Sequence, residues 1–168
     1  MKVQANRKSD KLLLILACLF TAALIFMITA LCLTQEPKTA EFVKPAFEPN
    51  AENGLPEVPE GSGYGEVWQE GMAYRFSLCG NVRMEGTSAV IYFTNPAEND
   101  VWLKLRFLDE RGGVRGETGI LRPGEYVRSA ELSDEIPTGT ELTMKVMSYE
   151  PETYISRGTV TLRITTAE

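Results

Sequence analysis

The chain has 168 residues, a formal net charge of −6, 43% hydrophobic and 9% aromatic residues, three cysteines and no histidine. These numbers exclude a strongly basic nucleic-acid binder, a histidine-based catalyst, a disulfide-rich miniprotein and a polytopic transporter. About one domain's worth of chain remains once the longest apolar run is set aside.

Charge sorts by segment. Residues 1–11 carry Lys2, Arg7, Lys8 and Lys11 against Asp10, which leaves +3, whereas residues 34–168 hold 13 of the 17 basic and 22 of the 23 acidic side chains, which leaves −9. Between them, residues 12–33 (LLLILACLFTAALIFMITALCL) form an unbroken run of 22 apolar or small residues. A bilayer core about 30 Å thick needs roughly 20 residues at 1.5 Å each, and signal-peptide cores are shorter. The run therefore predicts a retained single-pass membrane anchor whose ends are Leu12 and Leu33. The basic flank orients it with the N-terminus cytoplasmic and the C-terminal part extracytoplasmic, in the cell membrane. A cleaved signal is the alternative, but Ala30 is preceded by bulky Ile28 at the position that should be small. Lipoprotein processing at Ala17-Cys18 would leave a long apolar stretch after the cysteine. Cys18 with Ala22 and Ala17 with Thr21 place small side chains along one stripe, a candidate face for self-association.

Residues 34–71 carry five prolines, scattered glycines and six or more glutamates without apolar periodicity. They read as an extended, solvated linker. The short string Leu55-Pro56-Glu57-Val58-Pro59 lacks the scissile pair and apolar tail of a sortase signal.

From Met72 onward the period becomes two. Met72, Tyr74, Phe76 and Leu78 alternate with Ala73, Arg75 and Ser77, the pattern of a half-buried strand. Residues 88–94 (SAVIYFT) are apolar on both faces and suit a central strand. In 101–108, Val101, Leu103, Leu105 and Phe107 share one face while Trp102, Lys104 and Arg106 share the other. Residues 126–132, 142–149 and 159–165 complete the main set, with shorter pieces at 81–84 and 114–118. Glu85-Gly86, Asn95-Pro96, Arg111-Gly112-Gly113, Pro123-Gly124, Pro137-Thr138-Gly139 and Glu150-Pro151 supply turns between them. About seven short strands over residues 72–168, without a convincing amphipathic helix, predict an all-β domain: an immunoglobulin-like antiparallel β-sandwich, with a small barrel as the alternative. Cys79 is the only cysteine outside residues 12–33, so apolar burial must hold the fold together.

The layout of anchor, Pro/Gly/Glu linker and strands, with Tyr92-Phe93-Thr94-Asn95-Pro96-Ala97-Glu98-Asn99 and Gly119-Ile120-Leu121-Arg122-Pro123-Gly124 at the turns, resembles a largely uncharacterised family of small single-pass, membrane-anchored proteins of Gram-positive bacteria. Members often accompany mobile, conjugative-type elements. The resemblance implies a bacterial envelope location near a transfer apparatus, and it transfers no catalytic or binding residue.

Without histidine, a Ser-His-Asp triad, a Cys-His pair and a histidine-ligated metal are excluded. Glu98, Asp100, Asp109 and Glu110 fall in or beside predicted loops and read as solvated acids. Cys79 has no base to activate it and reads as a small packed hydrophobe. No catalytic residue, cofactor or metal is expected. The candidate binding surface is Trp102 with Lys104 and Arg106, where an exposed indole beside cations could stack on a ring or partner side chain. The competing reading makes Trp102 a core tryptophan or covers it with the two basic arms. Tyr64 and Trp68 are expected to tuck the linker onto the domain. The expected partners are the lipid bilayer through residues 12–33 and another envelope protein, and the net negative charge disfavours nucleic acid. The sequence thus predicts a non-catalytic interaction module, a structural or accessory subunit of an envelope or conjugative-transfer assembly. The alternative is a recognition domain for cell-wall glycan or peptide, working through the Trp102 face.

Overall fold

A computed structural model describes residues 7–34 and 42–167. The chain divides into two compact units, one containing the helix α1 (Arg7–Thr34) and the other beginning at Val43. Within α1, Thr21 donates its hydroxyl to the Cys18 carbonyl at 2.9 Å, and Thr29 bonds the carbonyls of Ile25 and Phe26. Among the described side chains of this helix, both hydroxyls, Thr21 and Thr29, bond its own backbone.

The expected membrane anchor is corrected here. Among the described residues, no helix is long and apolar enough to cross a membrane. α1 opens with Arg7, Lys8, Asp10 and Lys11, so its first turn is charged. The Leu12 side chain is exposed, whereas that of Leu33 lies outside the described ones. The cell-membrane location, and the inside-to-outside orientation built on it, are withdrawn with the anchor. The expected basic N-terminus falls partly on residues 1–6, outside the described residues, as does the expected linker over 35–41.

The second unit is all-β. Its strands are β1 (Glu52–Asn53), β2 (Tyr64–Val67), β3 (Phe76–Cys79), β4 (Val82–Glu85), β5 (Ser88–Asn95), β6 (Trp102–Leu108), β7 (Val114–Glu117), β8 (Glu125–Glu131), β9 (Glu141–Tyr149) and β10 (Ser156–Ala167). They form one curled mixed sheet in the order β1-β8-β5-β4-β10-β9-β6-β7, with β3 also beside β5 and β2 beside β3. Most pairs are antiparallel, but the end of β10 runs parallel to β4 through Thr166↔Val82 and Ala167↔Arg83. An isolated bridge, Gly116↔Leu132, brings β7 against the end of β8, so the curl nearly closes on itself.

Alternation accounts for the core. Leu103, Leu105 and Phe107 of β6 are fully buried beside Val101, and face Ala89, Ile91 and Phe93 of β5 within one cluster that also holds Phe76, Met144 and Val146. Each large side chain moved from water into such a cluster contributes roughly 1.5–3 kcal/mol. The second face of β5, Val90 and Tyr92, belongs to a smaller cluster with Cys79, packed against Val58 and Tyr64. A strand apolar on both faces is thus covered on both faces. Gly112 (φ 79) and Gly124 (φ 82) occupy the left-handed conformation that their turns require.

From Val43 onward the expected linker belongs to the second compact unit. Phe47 bridges Ile120, β1 pairs with β8, and β2 pairs with β3 over Tyr64↔Cys79 to Val67↔Phe76. The prolines suppress periodicity here but leave two- and four-residue pieces free to pair as edge strands. Met72 and Tyr74, expected as strand, precede β3, which begins at Phe76.

Cys79 is 1% exposed, and burial pushes its thiol up, only partly offset by Ser62. In a Cys18→Ser, Cys32→Ser background, iodoacetamide at pH 8 should label the native chain about tenfold or more slowly than the urea-unfolded chain. Equal rates would show that residues 58–64 do not cover this thiol.

Candidate functional site

The three residues singled out on β6 share one face, as alternation requires, but the structure gives them different surroundings. Trp102 is half-buried between two rings in edge-to-face geometry: Phe47 at 4.9 Å and 76°, and Tyr154 at 5.2 Å and 71°. The indole does not belong to the core cluster, and two rings meet it. Each such pair is worth about 0.5–1.5 kcal/mol beyond area burial. Tyr154 lies in the β9–β10 loop at φ 59, and Glu152 at φ 67. The loop closes through Tyr154 N–H to the Glu150 carbonyl (3.0 Å) and Glu150 N–H to the Ile155 carbonyl (2.8 Å). A left-handed tyrosine costs of order 1–3 kcal/mol, which the contact with Trp102 helps offset. Cations flank the aromatic group: the Arg122 guanidinium lies 3.7 Å from the Phe47 ring centroid and the Lys44 ammonium 5.3 Å from that of Tyr154.

Lys104 is 7% exposed, the one buried lysine among the described residues. Its ammonium bonds Glu117 Oε1 at 2.5 Å, while Arg106 bonds Glu117 Oε2 through Nε at 2.9 Å and Nη2 at 2.8 Å. Glu117 stands opposite Arg106 in the β6–β7 register, which places its carboxylate between the two cations. Burial alone would raise its pKa, but the hydrogen bonds and positive charges of Lys104 and Arg106 outweigh that and hold it below the ordinary glutamate value. All three charges are committed to one another.

Lys104 and Glu117 form the floor of an open groove of about 480 Å³ between β8 and the segment 46–52. That segment is a strap. Its Phe47 bridges Ile120, Glu48 N–H bonds the Ile120 carbonyl at 2.9 Å, and Ile120 N–H bonds the Ala46 carbonyl at 2.9 Å. The Glu48 carboxylate accepts the Gly119 N–H at 2.6 Å and the Asn50 N–H at 3.1 Å. A Cβ on Gly119 would collide with the Glu48 backbone and lie 2.6 Å from the Phe47 carbonyl carbon. Gly119→Ala is therefore expected to lift the strap, costing about 2 kcal/mol and exposing Trp102. The check is tryptophan emission in a Trp68→Phe background, which should shift to the red. Unchanged emission would mean that the strap accommodates the methyl group.

The other residues considered from sequence are not drawn into this site. Asp109 accepts the N–H groups of Arg111 (2.9 Å) and Gly113 (2.8 Å) and caps the β6–β7 turn. Glu98, Asp100 and Glu110 are exposed. Among the described residues, no group of three or more acids or cysteines is placed to hold a metal. Tyr64 does tuck onto the sheet, sharing a 2.8 Å hydrogen bond with Thr94, whereas Trp68 remains 50% exposed with the Arg75 guanidinium 5.8 Å from its ring centroid. Sequence reasoning missed Phe47, Glu117 and Tyr154. Phe47 carried a signal, being an aromatic residue in a stretch rich in proline and glutamate, while Glu117 and Tyr154 carried none.

No family model, no curated protein and no solved structure matches this chain.

Proposed function

We propose that residues 43–167 form a non-catalytic module that recognises another protein, as an accessory subunit of a larger assembly. The turn-motif resemblance points to an assembly of the conjugative-transfer type. The scaffold is best read as an immunoglobulin-like sandwich: the arms β2-β3-β5-β8-β1 and β10-β9-β6-β7 enclose one apolar cluster, which is the layering such a fold uses. One observation carries the functional reading. In the groove beside Lys104, the charged floor groups are consumed by one another, and what the groove leaves open is the backbone edge of β8. An open strand edge recognises; it supplies neither proton nor nucleophile.

The glycan alternative loses its platform, since Phe47 and Tyr154 occupy the indole that a sugar ring would need. Recognition of a peptide does not need that platform and survives as the more specific form of the proposal. Full-length chain carrying a photo-crosslinking residue at Ser129, in the groove, should give a discrete protein adduct in its native host cells, identified by mass spectrometry. The same residue at Thr161, on β10, should not. No adduct, or the same adducts from both positions, would overturn the reading.

A further inference from the structure

β8 is paired unevenly on its two sides. Along one side it runs against β5 from Ser88↔Glu131 to Asn95↔Glu125. On the other, β1 covers only Tyr126 and Glu125, and the next bridge is Gly116↔Leu132. Among the described residues, no strand pairs with this outer edge from Val127 to Ala130, while the Glu131 carbonyl already lies against Gly116 of β7. At about 3.4 Å per residue that is roughly 14 Å, the length of a short strand.

The local sequence explains the gap. The strap is bonded to Ile120 at Ala46 and Glu48, then turns away at Pro49-Asn50, and returns only as the two residues of β1. Proline offers no N–H to a ladder, and the Glu48 carboxylate fixes the turn by accepting the Asn50 N–H. At the far end, Gly116 lets β7 touch β8, because a Cβ there would strike the Glu131 carbonyl and, at 2.6 Å, the Leu132 side chain. From that contact β7 stays with β6, through Arg106↔Glu117, and the wedge between β7 and β8 is the groove.

The groove's charge selects an occupant. Its two cations are already matched, Lys104 by Glu117 and Arg128 by Glu85 at 3.3 Å. Its remaining acids hold only neutral donors: Glu48 the two backbone N–H groups, Glu52 the Tyr126 hydroxyl at 2.8 Å, and Glu131 the Thr87 hydroxyl at 3.1 Å. Three carboxylates without a cationic partner among the described residues thus border an unpaired strand edge. We propose that this edge accepts an extended segment of a partner protein as an added strand over residues 127–130, its Lys or Arg side chains at alternate positions meeting Glu48, Glu52 and Glu131. The backbone ladder supplies affinity and the acids supply specificity. This inference rests on the interaction-module reading and names the partner segment's chemistry.

The probe is acetyl-Lys-Thr-Lys-Thr-Lys-Thr-amide added to the full chain, with the Glu-for-Lys peptide and an alternately N-methylated form as controls. Amide shifts and slowed hydrogen exchange are expected at residues 127–130, saturating with the basic peptide. N-methylation should weaken binding at least tenfold, as should the Glu48→Gln, Glu131→Gln double variant, and the acidic peptide should not bind. Because the peptide controls use the unmodified protein, loss of fold in a variant does not cloud the result. No saturable shift, equal binding of the acidic peptide, or indifference to N-methylation would overturn the added-strand proposal. If that happens while Ser129 still crosslinks a discrete protein, the interaction module stands and only this mode of recognition fails. If both experiments fail, both readings fall.

Discussion

Asn95→Ala should be among the most damaging single substitutions in the domain, lowering stability by about 3 kcal/mol. Asn95 closes β5 with 0% exposure. Its side-chain amide donates to the Val101 carbonyl at 2.9 Å and the Leu121 carbonyl at 3.0 Å, and its Oδ1 accepts the Asn99 amide at 2.7 Å. Asn99 in turn donates to the Arg75 carbonyl and accepts the Arg75 N–H at 3.1 Å. One buried side chain thereby ties β5, the start of β6, the 119–124 turn and the approach to β3. Truncation takes the amide donor from the buried Val101 carbonyl and one of two donors from the Leu121 carbonyl, which keeps the Leu103 N–H, and it removes the acceptor of the Asn99 amide; a buried polar group left unpaired costs about 1–3 kcal/mol. Asn95→Asp keeps the volume but, ionised, offers only acceptors to those carbonyls, so it should lose at least as much. In urea denaturation both variants should show a lower midpoint with unchanged slope, and the melting temperature should fall by about 10 °C. A loss under 1 kcal/mol for Asn95→Ala would mean that water replaces the amide and that this junction does not hold the sheet together.

That result bears on how the fold can be read from sequence. Asn95-Pro96 reads as turn punctuation, and a turn does follow, but the same asparagine is also a buried junction, which no local pattern reveals. Strand periodicity is a local property and survived well. The alternation of Val101, Leu103, Leu105 and Phe107 gave a buried face, and the doubly apolar 88–94 became the centrally placed β5, covered on both sides. β1 and β2 were invisible because two- and four-residue strands among prolines and glycines have no period to detect. The parallel pairing of β10 with β4 and the near closure at Gly116 are long-range choices made by packing. The same division governs the candidate site. Alternation placed Trp102, Lys104 and Arg106 on one face correctly, yet whether that face meets water depended on Phe47, more than fifty positions away, and on Tyr154, nearly as far. A residue's face is written locally, and its cover is not.

Glu117→Gln should cost about 2 kcal/mol, although Glu117 itself is more than one-third exposed. The loss comes from the partner. Lys104 is a 7% exposed ammonium whose counter-charge is the Glu117 carboxylate, and an amide in that place leaves a buried cation facing a neutral group. Removing one member of a buried pair costs about 3–5 kcal/mol, and the figure is reduced here because solvent reaches the carboxylate and Arg106. Removing the cation as well should restore most of the stability, since Lys104→Met replaces a desolvated ammonium by an apolar chain of similar length. In the double variant the coupling should therefore be about 1–2 kcal/mol. The pH dependence has a fixed sign. Lys104 and Arg106, outweighing burial, hold the folded-state pKa of Glu117 below its ordinary value, so the folded chain releases this proton more readily than the unfolded chain. The pair's contribution is complete above the ordinary glutamate pKa and drains away as pH falls through the lower folded value. The stability difference between wild type and Glu117→Gln, measured by urea denaturation, should be largest at neutral pH and shrink steadily in the acid range. A difference that stays constant with pH would show that the glutamate acts there by shape alone, and that the cations on the groove floor do not depend on its charge.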